Sequence, residues 1–250
     1  MWHKPQLLNT LADLLFLVGA AALLAAGAVW LLRVPALPVQ YVLFETPLQH
    51  TRRGEIEQVL PGSLRGNFFT LDVSHVRQTL LQLPWVRGVQ VRRLWPAGLA
   101  VQIEEHQPVA RWGEGYAEMI NGHGEVFAAL LPEAEMRRLP LLQGPNGTAR
   151  QVLERFVSFR EMFADVGEQP VQLNLSSRLA WQLVLADGMR IEIGREHPKW
   201  PVEARLRRFV EIYTKEMAAL EARPTVVDLR YPNGFAIKLA AADAVQPKGK

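Results

Sequence analysis

The side chains that could carry out chemistry are few and are dispersed along the sequence. There are no cysteines, so thiolate nucleophiles, disulfides and zinc–sulfur sites are excluded. None of the five serines lies in a G-x-S-x-G or S-x-x-K pattern, and the six histidines form no H-E-x-x-H pair. The sequence therefore marks no catalytic set, and we expect no enzyme activity and no cofactor.

One short run, Glu104-Glu105-His106, has side chains that could bind a metal ion. On an extended strand, Glu104 and His106 face one side and Glu105 faces the other. The run is therefore better explained as the solvated end of a strand. The glycine pairs around Glu114 and His123 are too short to cradle a phosphate and do not open helices. We expect neither a metal site nor a small-molecule substrate.

The charge distribution argues against nucleic acid as a ligand. The 250 residues carry 28 Lys and Arg against 25 Asp and Glu, a net charge of +3. Basic pairs such as Arg92-Arg93 and Arg207-Arg208 are scattered, and acidic residues interleave with them. Because no single basic stripe results, we expect solvated faces and no nucleic-acid interface.

The elements that must position any binding residues begin with an apolar run, Leu14 to Leu32, bounded by Asp13 and Arg33. As a helix it would span ~28 Å, close to the ~30 Å hydrocarbon core of a bilayer. We predict a transmembrane helix over 14–32 with a short head over 1–13. A cleaved signal peptide and a buried core helix are the alternatives, although no clean cleavage site follows the run. The flanking charges leave the orientation undecided.

The region after the apolar run predicts a compact α+β unit. Its predicted elements are a strand at 39–44, helices at 53–60 and 72–83, and strands at 86–94 and 99–104. Asp72 is placed to cap the second helix, and Pro61-Gly62 is expected to stop the first. The order strand, helix, helix, strand, strand is one that two-layer packing can bury.

The remaining sequence is richer in strands. Two alternating apolar runs around the Asp187-Gly188 turn predict a hairpin, and helices are expected over 149–165 and 201–220. The expected apolar faces of these helices are Leu153, Phe156, Val157 and Phe163 in the first, and Leu206, Phe209, Val210, Tyr213, Met217 and Leu220 in the second. Val171, Leu173 and Leu175 alternate as a further strand. The two soluble regions are expected to meet near Gln107-Pro108, which makes the whole chain α+β.

Several motifs in order are similar to one known family. They are Leu83-Pro84-Trp85-Val86-Arg87, Val91-Arg92-Arg93-Leu94-Trp95-Pro96, Pro108-Val109-Ala110-Arg111-Trp112, Asn121-Gly122-His123-Gly124, Gly194-Arg195 and Asp228-Leu229-Arg230-Tyr231. Together with the apolar helix in front, they resemble the FtsQ/DivIB family of bacterial cell-division proteins over about residues 8 to 240. The combination is far more specific than any one motif.

The resemblance implies a single-pass inner-membrane protein at the division septum, with a cytoplasmic N-terminus and a periplasmic remainder. It implies a POTRA domain (β-α-α-β-β) over 38–107 and a β-domain with an antiparallel sheet over 108–240, before a disordered tail at 241–250. A protein of this family would be a non-catalytic scaffold of the divisome. Its partners would be FtsB and FtsL, bound through the β-domain, with the POTRA domain serving recruitment of other division proteins.

The partner site implied by the resemblance is the final strand, which would accept a strand from FtsB. An edge strand with little charge is also what the sequence after the Asn233-Gly234 turn predicts. The expected binding residues are Arg195, Arg230, Tyr231, Gly234, Phe235, Ala236, Ile237 and Lys238. The alternative is that Phe235 and Ile237 complete the core and the edge is covered.

Two other functions compete with a scaffold. A membrane-tethered periplasmic cell-wall enzyme would need paired carboxylates or an activated nucleophile, which the sequence does not mark. An outer-membrane translocator component would need a run of ~10-residue amphipathic strands, for which the chain is too short.

Overall fold

The structure, a computed structural model, describes residues 5–33, 38–115, 117–216, 224–231 and 234–239. The chain divides into two compact units, Met1–Glu105 and His106–Lys250. Helices and strands are numbered below in chain order. The α+β class expected from the sequence is confirmed.

Helix α1 runs Pro5–Arg33, and its segment Asn9–Trp30 is long and apolar enough to cross a membrane. None of that segment is buried against other described residues. This helix fits a single-pass membrane protein. It begins well before the predicted start at Leu14, because proline is favoured at the first helical position and the leucines and alanine after it are good helix formers.

The first domain has two helices on one face of a three-stranded sheet. Its elements are β1 (Tyr41–Phe44), α2 (Arg53–Ser63), α3 (Val73–Leu80), β2 (Val86–Leu94) and β3 (Gly98–Glu105). The strand order is β1-β3-β2, with β1 parallel and β2 antiparallel to β3. The buried core joins the helices to the sheet through Ile56, Leu60, Val76, Leu80, Val89, Leu99, Val101 and Ile103. The β-α-α-β-β order predicted for a POTRA domain is confirmed.

Local signals explain both helices of this domain. Asp72 caps α3 as predicted, since its Oδ1 accepts hydrogen bonds from the backbone N–H groups of Ser74 at 2.8 Å and His75 at 3.2 Å. The predicted stop of α2 at Pro61 is wrong, because the helix continues to Ser63. A proline in the last turn costs few ladder bonds, and buried Ser63 closes that turn by donating to the Leu60 carbonyl at 2.8 Å.

The second domain is built on one nine-stranded sheet. Its strands are β4 (Pro108–Trp112), β5 (Glu118–Asn121), β6 (Val126–Ala128), β7 (Leu141–Gln143), β8 (Pro170–Leu175), β9 (Ala180–Leu185), β10 (Arg190–Arg195), β11 (Pro224–Asp228) and β12 (Ala236–Leu239). Its helices are α4 (Glu133–Met136), α5 (Ala149–Phe163), continued by a 3-10 turn, and α6 (Val202–Glu216). The spatial order is β12-β11-β10-β9-β8-β7-β4-β5-β6, so β12 and β6 are the two edges.

The sheet is mixed and not wholly antiparallel as predicted. The pairs β4–β7, β7–β8 and β10–β11 are parallel, and the remaining pairs are antiparallel. Each parallel pair is joined by a connection that contains a helix, namely α4, α5 or α6. A parallel neighbour requires such a crossover, which local alternation of apolar residues does not reveal.

The core of this domain lies between the sheet and helices α5 and α6. The buried faces of the helices are Ala149, Val152, Leu153, Phe156, Phe159 and Phe163 on α5, and Val202, Leu206 and Phe209 on α6. Val157 is exposed, so the predicted face of α5 was partly wrong. Val171 is also exposed, next to an irregularity between Pro170 and Gln172. Met217 and Leu220 lie outside the described residues.

Candidate partner-binding edge

Strand β12 forms one open edge of the nine-stranded sheet. Among the described residues it pairs only with β11, in the register Asp228↔Ala236, Val227↔Ile237 and Val226↔Lys238. All four of its residues are exposed, and Lys238 carries the only charge on it. The edge strand predicted from the sequence is therefore present and its side chains are accessible.

The backbone of β12 turns alternate residues toward the open edge. The N–H of Leu229 donates to the Glu192 carbonyl in β10 at 2.8 Å, so odd-numbered residues of β11 face β10 and even-numbered residues face β12. In agreement, the Lys238 carbonyl points back toward β11, where it accepts a hydrogen bond from the Thr225 hydroxyl at 3.0 Å. The N–H and C=O groups of Ile237 consequently point away from the sheet.

Phe235 holds the start of this strand against the core. Its ring lies 5.5 Å from that of Phe209, edge to face, and it is partly buried among the residues that pack on the main core. Phe209 also lies 5.5 Å from the ring of Tyr213. Of the predicted binding residues, Phe235 thus also anchors the strand to the core, whereas the Ile237 side chain is exposed. Asn233 lies outside the described residues.

Arg230 is held by an ion pair next to the strand. Its Nε lies 2.8 Å and 3.1 Å from the two carboxylate oxygens of Asp228, and its backbone N–H donates to the same carboxylate at 3.0 Å. The hydrogen bond from Arg230 lowers the pKa of Asp228, and the bond to Asp228 raises the pKa of Arg230. Tyr231 follows directly and is exposed.

A β-bulge at Gly194 brings the end of β10 close to Arg230. Gly194 has φ +84, and a Cβ there would lie 2.8 Å from Cγ of Arg230, so only glycine allows this close approach. The Arg205 guanidinium donates to the carbonyls of Ile193, at 2.5 Å, and of Arg195. The structure therefore assembles Arg195, whose side chain is exposed, and Arg230 around one bulge.

Arg205 is a residue whose role the sequence did not reveal. Its side chain is partly buried, and burial lowers its pKa while Glu196 opposes this. Its Nε is buried and makes no hydrogen bond within the described part of the chain. In the sequence, the glycine at position 194 within a strand was the one sign that another side chain approaches β10 closely.

A shallow pocket of about 130 Å³ adjoins the edge strand. Its lining is Lys199, Trp200, Pro201, Ala204, Arg205, Arg208, Phe209, Leu229, Tyr231, Gly234 and Phe235. The pocket combines three cationic side chains with two exposed aromatic rings, Trp200 and Tyr231. Such a surface suits a partner segment that carries apolar and acidic side chains. The sequence did not predict the contribution of the 199–201 segment.

The side chains considered earlier for a metal site have other contacts. Glu104 pairs with Arg87 at 2.6 Å, whereas Glu105 is buried and accepts hydrogen bonds from the backbone N–H groups of residues 49–51. His106 stacks on Phe127 with ring centroids 4.2 Å apart. Within the described ranges, no group of three or more His, Asp or Glu side chains is placed to hold a metal ion.

These features define a class: proteins with one apolar N-terminal helix, a small β-α-α-β-β domain and a larger β-rich domain with an open edge strand. Comparison with known protein families finds a match for each of the two domains. Residues 37–106 match the FtsQ-type POTRA domain, and residues 110–230 match the C-terminal domain of the cell division proteins FtsQ/DivIB. The chain belongs to the FtsQ family of cell division proteins.

Individual relatives match almost the whole length of the chain. The Cell division protein FtsQ of Burkholderia pseudomallei is 35% identical over 240 residues, covering 96% of this chain and 95% of its own. That of Bordetella pertussis is 35% identical, with 96% and 93% covered, and that of Neisseria gonorrhoeae is 30% identical, with 96% of each covered. These matches support a role in cell division.

Proposed function

We propose that the protein is a non-catalytic scaffold of the bacterial divisome that binds FtsB and FtsL through its second domain. The observation that carries the proposal is the open edge at β12, where Ile237 presents an outward N–H and C=O and an exposed side chain. Soluble proteins usually protect such an edge, because an unpaired strand can add a strand from another chain. The expected mode is β-strand addition by FtsB.

The surroundings of β12 would give this addition its specificity. Ladder hydrogen bonds supply affinity to any extended peptide, so selection must come from side chains beside the strand. Arg195 follows the Gly194 bulge that lies against Arg230, and the basic aromatic pocket, which Tyr231 lines, adjoins the start of β12. We expect an acidic residue of the partner near Arg195, and an apolar residue against Tyr231 and Trp200.

The same proposal includes a location for each part of the protein in the cell. Helix α1 would span the inner membrane with the N-terminus in the cytoplasm, and the domains at 38–107 and 108–240 would lie in the periplasm at the division septum. Further division proteins would be recruited through the first domain. Because the chain has no cysteine, single cysteines report sidedness cleanly. Exposed Ser177→Cys should react with an impermeant maleimide in intact cells, and Lys4→Cys only after lysis.

Strand addition is tested by placing a proline on the open edge. Ile237→Pro removes an outward donor without breaking the ladder to β11, so the affinity of the full chain for an FtsB/FtsL complex should fall by at least about tenfold. The matched control is Val126→Pro on β6. The neighbouring Glu125 carbonyl and Ala129 N–H bond to Asn121 and Ala117, so Val126 faces outward as Ile237 does.

The control variant should bind as the unmodified chain does. Ala236→Pro gives a second comparison, because Ala236 faces β11 and its loss should lower the free energy of unfolding as well as binding. Unimpaired FtsB/FtsL binding by a folded Ile237→Pro protein would exclude strand addition at β12.

A further inference from the structure

Three aromatic side chains are exposed at one end of the first domain. The exposed fractions are 45% for Tyr41, 42% for Phe69 and 70% for Trp95. Buried Phe68 contacts two of them, with its ring centroid 5.3 Å from that of Phe69 and 5.8 Å from that of Trp95. We call Tyr41, Phe69 and Trp95 the aromatic tip. Large exposed aromatic residues in a cluster usually mark a contact with another molecule or with a membrane.

The loop that carries Phe69 is fixed and does not depend on a partner for its shape. The buried Asn67 side chain accepts hydrogen bonds from the N–H groups of Phe69 at 3.0 Å and Thr70 at 2.9 Å. Arg93 donates to the Phe68 carbonyl at 2.8 Å and to the Leu71 carbonyl at 2.7 Å. Asn67 and Arg93 therefore hold this loop in one conformation with the Phe69 ring exposed. Because the loop is already ordered, binding through this ring requires no further loss of loop entropy.

Backbone pairing places the aromatic tip at the end of the domain where the chain arrives from α1. The N–H of Gln40 donates to the Ala97 carbonyl, in the turn after Trp95, at 2.8 Å. Tyr41 is paired with Gly98, and its ring lies so close that a Cβ on Gly98 would be 2.5 Å away.

The tether limits how far this end can move from the bilayer. Gln40 is seven positions after Arg33, where α1 ends, so the two Cα atoms can be at most ~25 Å apart even if the connection is fully extended. The polar layer on each side of the hydrocarbon core is itself ~5–8 Å thick. An exposed aromatic surface at this end of the domain is therefore within reach of the headgroup layer.

The chemistry of the tip fits the interfacial layer. Tryptophan and tyrosine are enriched at that depth, because their rings are apolar and their N–H or O–H group stays hydrated. Two of the nearby cations are already engaged, since Arg93 bonds to the loop carbonyls and Arg92 pairs with Glu45. We propose that the aromatic tip inserts into the interface of the bilayer that α1 spans, and so fixes the first domain against the membrane surface.

Lipid quenching of tryptophan fluorescence tests this in the full chain. The protein is reconstituted in phosphatidylcholine vesicles with bromine carried on the acyl chain near the headgroup. Of the seven tryptophans, those at 85, 112 and 181 are buried and Trp200 is exposed on the second domain. If the tip is in the interface, Trp95→Phe should reduce the quenched fraction of the emission.

The matched control, Trp200→Phe, is expected to change the quenched fraction in the opposite direction to Trp95→Phe. Removing an unquenched emitter raises the quenched fraction, so Trp200→Phe should raise it slightly while Trp95→Phe lowers it. Phe69→Trp adds an emitter at the tip and should raise it. A Trp95→Phe protein whose quenched fraction rises as that of Trp200→Phe does would overturn the proposal, as would no gain from Phe69→Trp. Unchanged thermal unfolding confirms that each variant is folded.

Discussion

The two edges of the nine-stranded sheet differ in how they meet solvent. At one edge β6 has three residues, and its central residue Phe127 is buried and stacked nearly parallel on His106, with 4° between the rings. At the other edge every residue of β12 is exposed. Both strands are short and have outward backbone groups, yet only β6 has its central side chain buried in the protein.

The polar contacts behind each edge differ as well. Behind β6, the 1% exposed Asn121 accepts hydrogen bonds from the N–H groups of His123 and Glu125, both at 3.0 Å, and contacts His106. Behind β12, the Asp228–Arg230 pair is largely solvated on the arginine side. The β6 edge is therefore built as an end of the sheet, while the β12 edge is built as a surface that another chain can extend.

The largest expected effect comes from the anchor of the β12 edge. Phe209 is fully buried between Tyr213 and Phe235, so Phe209→Ala should lower the free energy of unfolding by about 3–5 kcal/mol through the cavity it leaves. Chemical denaturation of the full chain measures this. An unchanged unfolding midpoint together with lost partner binding would instead make the α6 stripe an interface.

The next effect concerns the closed edge. Asn121→Ala removes the acceptor for two backbone N–H groups, and should cost about 1–3 kcal/mol of unfolding free energy. Partner binding at β12 should be unaffected, since the two strands lie at opposite ends of the sheet. A parallel loss of binding would show that the edges are coupled and the contrast between them is mistaken.

A smaller effect is expected at the bulge that supports the open edge. Gly194→Ala forces a side chain into the left-handed region and against Cγ of Arg230, which should cost about 1–2 kcal/mol. Because the clash displaces Arg230, binding should weaken as well. Gly122→Ala is a suitable control, because nothing lies within 4 Å of a Cβ there. Equal behaviour of the two variants would remove Gly194 from the site.

The smallest effect is a pH dependence. Arg230 lowers the pKa of Asp228, so this pair stabilises the fold above the unfolded carboxyl value of ~3.9, and its contribution is lost as the pH falls through the lower folded value. The pair is exposed on one side, so the contribution is at most about 1 kcal/mol. The unfolding midpoints of the unmodified chain and Asp228→Asn should differ at pH 7 and converge in strong acid.

Local patterns in the sequence predicted the elements well where the signal is itself local. The cap at Asp72 and the buried faces of β9 and β10, with Trp181, Leu183, Ile191 and Ile193, all lie as expected. The family resemblance supplied the order of the domains. Such signals depend on residues within a few positions of one another.

What the sequence did not predict depends on residues that are distant along the chain. The parallel pairs require crossovers whose direction is fixed by packing, and Arg205 is explained only by carbonyls of β10. The sequence marked Phe235 as a partner-binding residue and did not reveal that its ring also packs against Phe209 on α6. The alternation of apolar and polar residues along a strand does not show whether a given apolar side chain faces a partner or the core.

The position of β12 in the sequence also bears on the stage of folding at which the open edge can form. Within the described part of the chain every other strand of the sheet precedes it in sequence, and its neighbour β11 joins β10 through the α6 crossover. The parallel pairing of β11 with β10 is non-local, and pairing of this kind is slow to form. Under the proposed function, a chain that is still emerging or misfolded offers no docking strand, so recruitment of partners would report that the domain is complete.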